Sequence, residues 1–169
     1  MKNVAVIIED HYEDLEAWYP YLRLREEGMR TIFVGPGRQK EYHSKHGYAA
    51  KEEMQISDAK ESQFDAVIIP GGYAPDMMRR DQRINEFVKS MFNAGKLVAA
   101  ICHAAWVPIS AGIVKGRNMT CFSSIKDDCI NAGAKYTDKE VVVDGNLITS
   151  RKPDDLPAFC REIINFLKK

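Results

Sequence analysis

Residues 98–106 read Val-Ala-Ala-Ile-Cys-His-Ala-Ala-Trp, an apolar run that breaks at Cys102-His103 into small helix formers. Five apolar residues ending at Ile101, bounded in this way, have the length and character of a strand buried on both faces. The pattern recurs along the chain. Val4–Ile8, Thr31–Val34 and Ala66–Ile69 are further short apolar runs, closed by polar residues, by Gly35-Pro36-Gly37 and by Pro70-Gly71-Gly72. Helix-period segments alternate with them. The first runs from Leu15 to Glu27, with Leu15, Trp18, Tyr19, Leu22 and Leu24 as its apolar side and Gly28 as its stop. Pro20 within it is predicted to kink or shorten the helix, because proline lacks the N–H of the helical ladder. Further helices are predicted over 82–94, 104–111, 124–132 and 153–167. Val141–Val143 and Leu147–Thr149 flank Asp144-Gly145, a hairpin turn signal. The more polar segment Lys45–Met54 around Gly47 reads as a short strand pair. Buried strands alternating with amphipathic helices predict one α/β domain over residues 1–169, a mostly parallel sheet covered on both faces.

Bulk properties exclude several classes. The 169 residues suffice for one domain with a real core. Apolar residues make up 45 % and charged residues 28 %, the balance of a folded globular chain rather than a disordered one. Formal net charge is zero and no Lys/Arg block stands out, so neither nucleic acid nor an anionic membrane is favoured as a partner. The N-terminal apolar run is too short for a signal peptide core, and no stretch approaches the roughly 20 apolar residues of a membrane span. Cys102, Cys121, Cys129 and Cys160 are widely spaced without a C-x-x-C pair, which argues against a zinc site or a disulfide framework. The expectation is a reduced, cytoplasmic protein.

In open parallel sheets, ligands bind beyond the carboxyl ends of the strands, near the point where strand order reverses. Three groups of residues are predicted to meet there: Glu13 after the first strand, Gly71-Gly72 after Ile69, and Cys102-His103 after Ile101. Small residues two positions either side of Cys102 give it the layout of a nucleophile elbow, in which a sharp turn strains the central residue. A thiol at a helix N-terminus is expected to have a lowered pKa. The bland alternative is a buried structural cysteine, and on local sequence the two weigh equally; for Cys121, Cys129 and Cys160 the structural role is preferred. Asp14 suits the cap of the first helix and leaves Glu13 to point across the rim, where a protonated carboxyl can hydrogen-bond sulfur and shuttle a proton. The backbone N–H groups of Gly71, Gly72 and His103 are candidate oxyanion donors, set against an ordinary Gly turn. His43 and His46 do not converge in an extended loop and are not read as metal ligands.

Taken in order, these segments resemble the PfpI family of intracellular-protease-like and deglycase-like proteins, within the class I glutamine amidotransferase-like superfamily. The resemblance runs nearly end to end. It is carried by Glu13-Asp14, Lys45-His46-Gly47, Phe64-Asp65-Ala66 through Gly72, Ala74-Pro75-Asp76, Ala100-Ile101-Cys102-His103, Ile109-Ser110-Ala111, Gly116-Arg117, Asn131-Ala132-Gly133, Glu140 through Asp144, Thr149-Ser150-Arg151 and Pro153 through Pro157. It implies a flavodoxin-like three-layer sandwich, with Cys102 as nucleophile, Glu13 as the acid beside it, and the Gly72 and His103 amides as oxyanion hole. It also implies that Asp76 of a neighbouring subunit pairs with His103, in a homodimer that some members extend to a hexamer. The chain departs from the family at Ala104-Ala105-Trp106, where Gly-Pro commonly follows Cys-His, and at Phe122, where some members have Tyr. Both changes bear on peptidase activity more than on aldehyde chemistry.

The resulting expectation is a cysteine enzyme without cofactor or metal. Its substrates would be α-oxoaldehydes such as methylglyoxal, or their adducts on proteins and nucleotides. Two alternatives stand beside it: an intracellular cysteine peptidase or amidase, and a redox-sensing or chaperone-like dimer in which Cys102 is oxidised.

Overall fold

The computed structural model describes all 169 residues. In chain order the elements are β1 (Asn3–Ile7), α1 (Asp14–Glu26), β2 (Arg30–Gly35), β3 (Glu41–His43), β4 (Ala49–Lys51), β5 (Met54–Gln55), β6 (Ala66–Ile69), α2 (Ala74–Met78), α3 (Gln82–Asn93) and β7 (Leu97–Ile101). They continue with α4 (Trp106–Ser110), β8 (Asn118–Met119), α5 (Lys126–Asn131), β9 (Lys135–Tyr136), β10 (Val141–Asp144), β11 (Leu147–Ser150) and α6 (Leu156–Leu167). One seven-stranded sheet orders them β10-β11-β7-β6-β1-β2-β5, parallel throughout except for β10. Helices α1 and α6 pack together on one side, α3 and α4 on the other. The apolar runs predicted as strands are the buried centre of this α/β sandwich: Val4–Ile8, Ala66–Ile69 and Leu97–Ile101 have essentially no exposure.

From β1 the chain moves outward to β2, then returns to place β6 and β7 on the other side of β1. Strand order therefore reverses between β1 and β6, and their carboxyl ends open the crevice such a reversal creates.

Several local expectations need revision. Helix α1 runs unbroken through Pro20, which lies buried within it; packing on the sheet outweighs the lost hydrogen bond. Its inner face is Glu16, Ala17, Pro20, Tyr21 and Leu24. Leu15 and Leu22, read from the sequence as core, are 56 % and 58 % exposed. Apolar residues on both sides of this helix made the choice of face ambiguous to periodicity alone. Pairing of β3 with β4 begins at Glu41, earlier than predicted, and the two-residue strands β5, β8 and β9 carry no sequence signal. The segment after Cys102 is a 3-10 turn (Cys102–Ala105) leading into the short α4, not one helix.

Candidate active site

Cys102 has φ +63°, one of two non-glycine residues with positive φ. The left-handed region costs about 1–2 kcal/mol for a residue with a Cβ. The strain is held by β7 entering on one side, the 3-10 turn leaving on the other, and Gly71 packed alongside. An added Cβ on Gly71 would lie 2.5 Å from Glu16 Oε2 and 2.8 Å from Cys102 Cβ, so only glycine fits. Gly72 has φ +81°, and a Cβ there would meet His11 O at 2.5 Å and Glu13 N at 2.6 Å. Backbone bonds from Glu13 N–H to Gly71 O (3.0 Å) and from Tyr73 N–H to His11 O (2.9 Å) clamp the loops after β1 and β6 together.

These loops bring the expected regions to one cavity of about 290 Å³, whose lining includes Cys102, His103, Gly72, Glu13, Glu16 and Lys45. Cys102 is 7 % exposed at its base. The Gly72 and His103 N–H groups lie near the sulfur and favour its charged form. Gly71 does not contribute: its N–H donates to Glu16 Oε2 at 2.7 Å, which removes it from the oxyanion set.

The carboxyl beside the thiol is Glu16, not Glu13. Glu13 has extended backbone and occupies the N-cap of α1, where its Oε2 accepts from Glu16 N–H at 2.9 Å. Its Oε1 lies 3.8 Å from Lys45 Nζ. One turn further, Glu16 points inward beneath Gly71 with no exposure. Asp14, expected as the cap, instead accepts from Ser44 Oγ (2.6 Å) and meets His46 Nδ1 (2.8 Å), pinning the loop that carries Lys45. Burial, helped by the charge of Glu13, pushes the Glu16 carboxyl up to about 8, against the Gly71 N–H and the Cys102 thiol. Glu16 Oε1 is buried without a hydrogen bond of good geometry. A protonated acid at this place has a proton to give and an apolar reason to keep it.

Burial and then the charge of Glu16 push the Cys102 thiol up to about 12, opposite to the lowered value the elbow suggested. A single 3-10 turn offers little dipole compared with a long helix, and the sulfur is shielded from water. The ionisable ring in contact with the thiol is that of His103. His103 Nδ1 lies 3.3 Å from Cys102 Sγ, and its Nε2 lies 3.1 Å from Ser124 Oγ. Burial, with the charge of Lys45, holds the imidazole below its ordinary value and so favours the neutral ring. Phe122 stacks on it at 5.0 Å, and Trp106, anchored by Nε1–H to Asp128 Oδ2 (2.7 Å), meets it edge-on at 5.4 Å. Asp76 does not meet His103 within the chain; it is ion-paired with Arg80 on the outer surface.

Sequence reasoning missed Glu16, Lys45 and Ser124. Glu16 had a legible signal: it shares the i, i+4, i+8 series with Pro20 and Leu24, the face that is buried. A carboxylate on a buried helical face needs a partner or a function. Ser124 had none, since its role depends on how the segment after β8 folds back over the cavity.

Fold and site together define an α/β protein with a strained cysteine elbow at the carboxyl rim of a parallel sheet, backed by a buried carboxyl. Within that class the chain belongs to the DJ-1/PfpI family, whose model matches residues 2–166. It is 43 % identical to "Deglycase PfpI" of Pyrococcus furiosus, over 98 % of this chain and 99 % of that one. It is also 45 % identical to "Putative cysteine protease YraA" of Bacillus subtilis, over 99 % of both chains. Among solved structures, the two-domain protein of Anabaena variabilis with dj-1/thij/pfpi-like and ferritin-like domains superposes with TM-score 0.97 at 41 % identity, covering 99 % of this chain and 48 % of that one. No helix is long and apolar enough to cross a membrane.

Proposed function

We propose that the protein is a cysteine enzyme acting on α-oxoaldehydes such as methylglyoxal, or on the adducts they form on proteins and nucleotides. The observation that carries this reading is the Glu16 carboxyl, fully buried and packed with Cys102 against Gly71, where burial pushes it up to about 8. Aldehyde-to-acid conversion must move a proton between adjacent carbons, and an acid paired with a base across the same carbons can do so.

The steps follow from the residues. As Cys102 Sγ attacks the aldehyde carbon, its proton passes to His103 Nδ1, and the Gly72 and His103 N–H groups hold the oxyanion. The imidazolium returns that proton to the oxygen, leaving a hemithioacetal. His103 then takes the hydrogen from the aldehyde-derived carbon while Glu16 protonates the neighbouring carbonyl oxygen, giving an enediol. Delivery of the His103 proton to the second carbon, with Glu16 recovering the first hydroxyl's proton, produces a thioester. Water activated by His103 hydrolyses it, releasing a hydroxy acid and the Cys102 thiol. For methylglyoxal the sum is addition of one water to give lactate.

The cavity volume of about 290 Å³ and Phe122, which offers no hydroxyl, support small aldehydes over an extended peptide. Four free, buried cysteines accord with a reducing cytoplasm, and the exposed Leu15 and Leu22 on α1 accord with a homo-oligomer. The deciding measurement is turnover of methylglyoxal by wild type and Cys102→Ser, with casein digestion in parallel. Turnover lost in the variant supports the reading. Casein cleavage without glyoxal turnover would instead establish a peptidase.

A further inference from the structure

His103 has two ring nitrogens, and the chain itself supplies a partner for each. Nδ1 faces Cys102 Sγ at 3.3 Å and Nε2 faces Ser124 Oγ at 3.1 Å. Ser124 lies in a 3-10 turn, Ser123–Ile125, that begins directly after Phe122. The Phe122 N–H donates to Cys102 O at 3.3 Å, tying this segment to the elbow. Its ring stacks on the imidazole at 5.0 Å with an interplanar angle of 27°. One three-residue stretch thus fixes both the plane of the ring and the atom behind it. No carboxylate of the chain bonds either nitrogen.

Which nitrogen carries the proton decides what His103 can do. With the proton on Nδ1, the ring presents an N–H to sulfur and has nothing to receive the thiol's proton. With the proton on Nε2, the Nδ1 lone pair faces the thiol, and the proton needs an acceptor behind the ring. Ser124 Oγ is the acceptor in place.

We propose that Ser124 is the positioning residue of this site: its hydroxyl oxygen accepts the Nε2 proton of His103 and so directs the Nδ1 lone pair at the Cys102 thiol. The inference rests on the Cys102–His103 reading above. Nε2 carries its proton in both the neutral ring and the imidazolium, so this bond persists while Nδ1 gains and loses a proton. A hydroxyl behind the ring orients it without adding charge.

The test compares wild type, Ser124→Ala and Ser124→Thr by glyoxal kinetics across pH and by the ¹⁵N tautomer pattern of His103 in histidine-labelled protein. Wild type should show the Nε2–H tautomer. Ser124→Ala should mix the tautomers and lower kcat about tenfold, a part of the roughly 10²–10⁴ a positioned base supplies, with KM changed less than about twofold. The acid limb of its pH profile should stay in place, because no charge is removed, and Ser124→Thr should restore both readouts. If wild type turns over no glyoxal, the reaction assigned above fails, and the tautomer pattern alone judges Ser124. A wild-type Nδ1–H tautomer, or a Ser124→Ala protein unchanged in kcat and tautomer, would overturn the proposal. So would an inactive Asp76→Ala protein that regains activity when mixed with Cys102→Ala subunits, since that places a neighbour's carboxylate behind the ring.

Discussion

Replacing Glu16 with Gln should remove a specific pH dependence of stability. Glutamine keeps the size of the side chain and an oxygen for the Gly71 N–H (2.7 Å in the wild type), but it cannot ionise. In the native protein burial raises the Glu16 carboxyl from its ordinary 4.5 to about 8. Between those values the folded state holds a proton that the unfolded chain has lost, so the free energy of unfolding declines as pH rises. The stabilisation is fully present below pH 4.5 and is lost as pH rises through 8. At about 1.4 kcal/mol per pH unit the whole window amounts to roughly 5 kcal/mol, an upper figure for a fully buried group. Thermal melts of wild type and Glu16→Gln between pH 5 and 8 read it directly. The wild-type Tm should fall relative to the variant by about 3–5 °C per pH unit for a chain of this size. Taking the difference cancels His103 and the other groups that titrate in both proteins. A constant difference in Tm across the window would refute the burial argument for Glu16.

Two further substitutions probe the framework of the site. Gly72→Ala combines a left-handed φ with a Cβ 2.5 Å from His11 O; strain and overpacking of about 2–5 kcal/mol should lower Tm by roughly 5–15 °C. Displacing its N–H should also lower kcat about 10²-fold, read from initial rates at a temperature where the variant is folded. Asn146 lies in the turn between β10 and β11, and its Nδ2 donates to Phe92 O (2.9 Å) and Lys96 O (2.8 Å). Asn146→Ala should cost about 1–3 kcal/mol in urea denaturation and leave kcat unchanged.

The sequence by itself determined the layers of this protein. Runs such as Val4–Ile8 and Leu97–Ile101 carry no polar residue, so each has to be covered on both faces, and the intervening helical segments are the only cover available. Gly28, Gly95 and Gly112, all with positive φ, end helical segments where the sequence placed the stops. The elbow was legible for the same kind of local reason: small neighbours around Cys102 and a glycine pair after Ile69 permit a close turn that bulky residues forbid. What lay beyond reading was direction. Glu13, the N-cap, and Glu16, in the first turn, are three residues apart at the start of α1, and which face of the helix meets the sheet makes the second of them the buried acid. Leu15 and Leu22 obscured that face because helical periodicity does not say which apolar side the core will take. The thiol's raised pKa likewise comes from burial and from a carboxyl brought beside it across 86 residues of chain. Ser124 reaches His103 only because the segment after β8 folds back over the end of β7. Local chemistry chose the strands, the turns and the cysteine elbow; tertiary packing chose which acid, which hydroxyl and which face surround it, because those choices depend on distances between segments that no short-range pattern encodes.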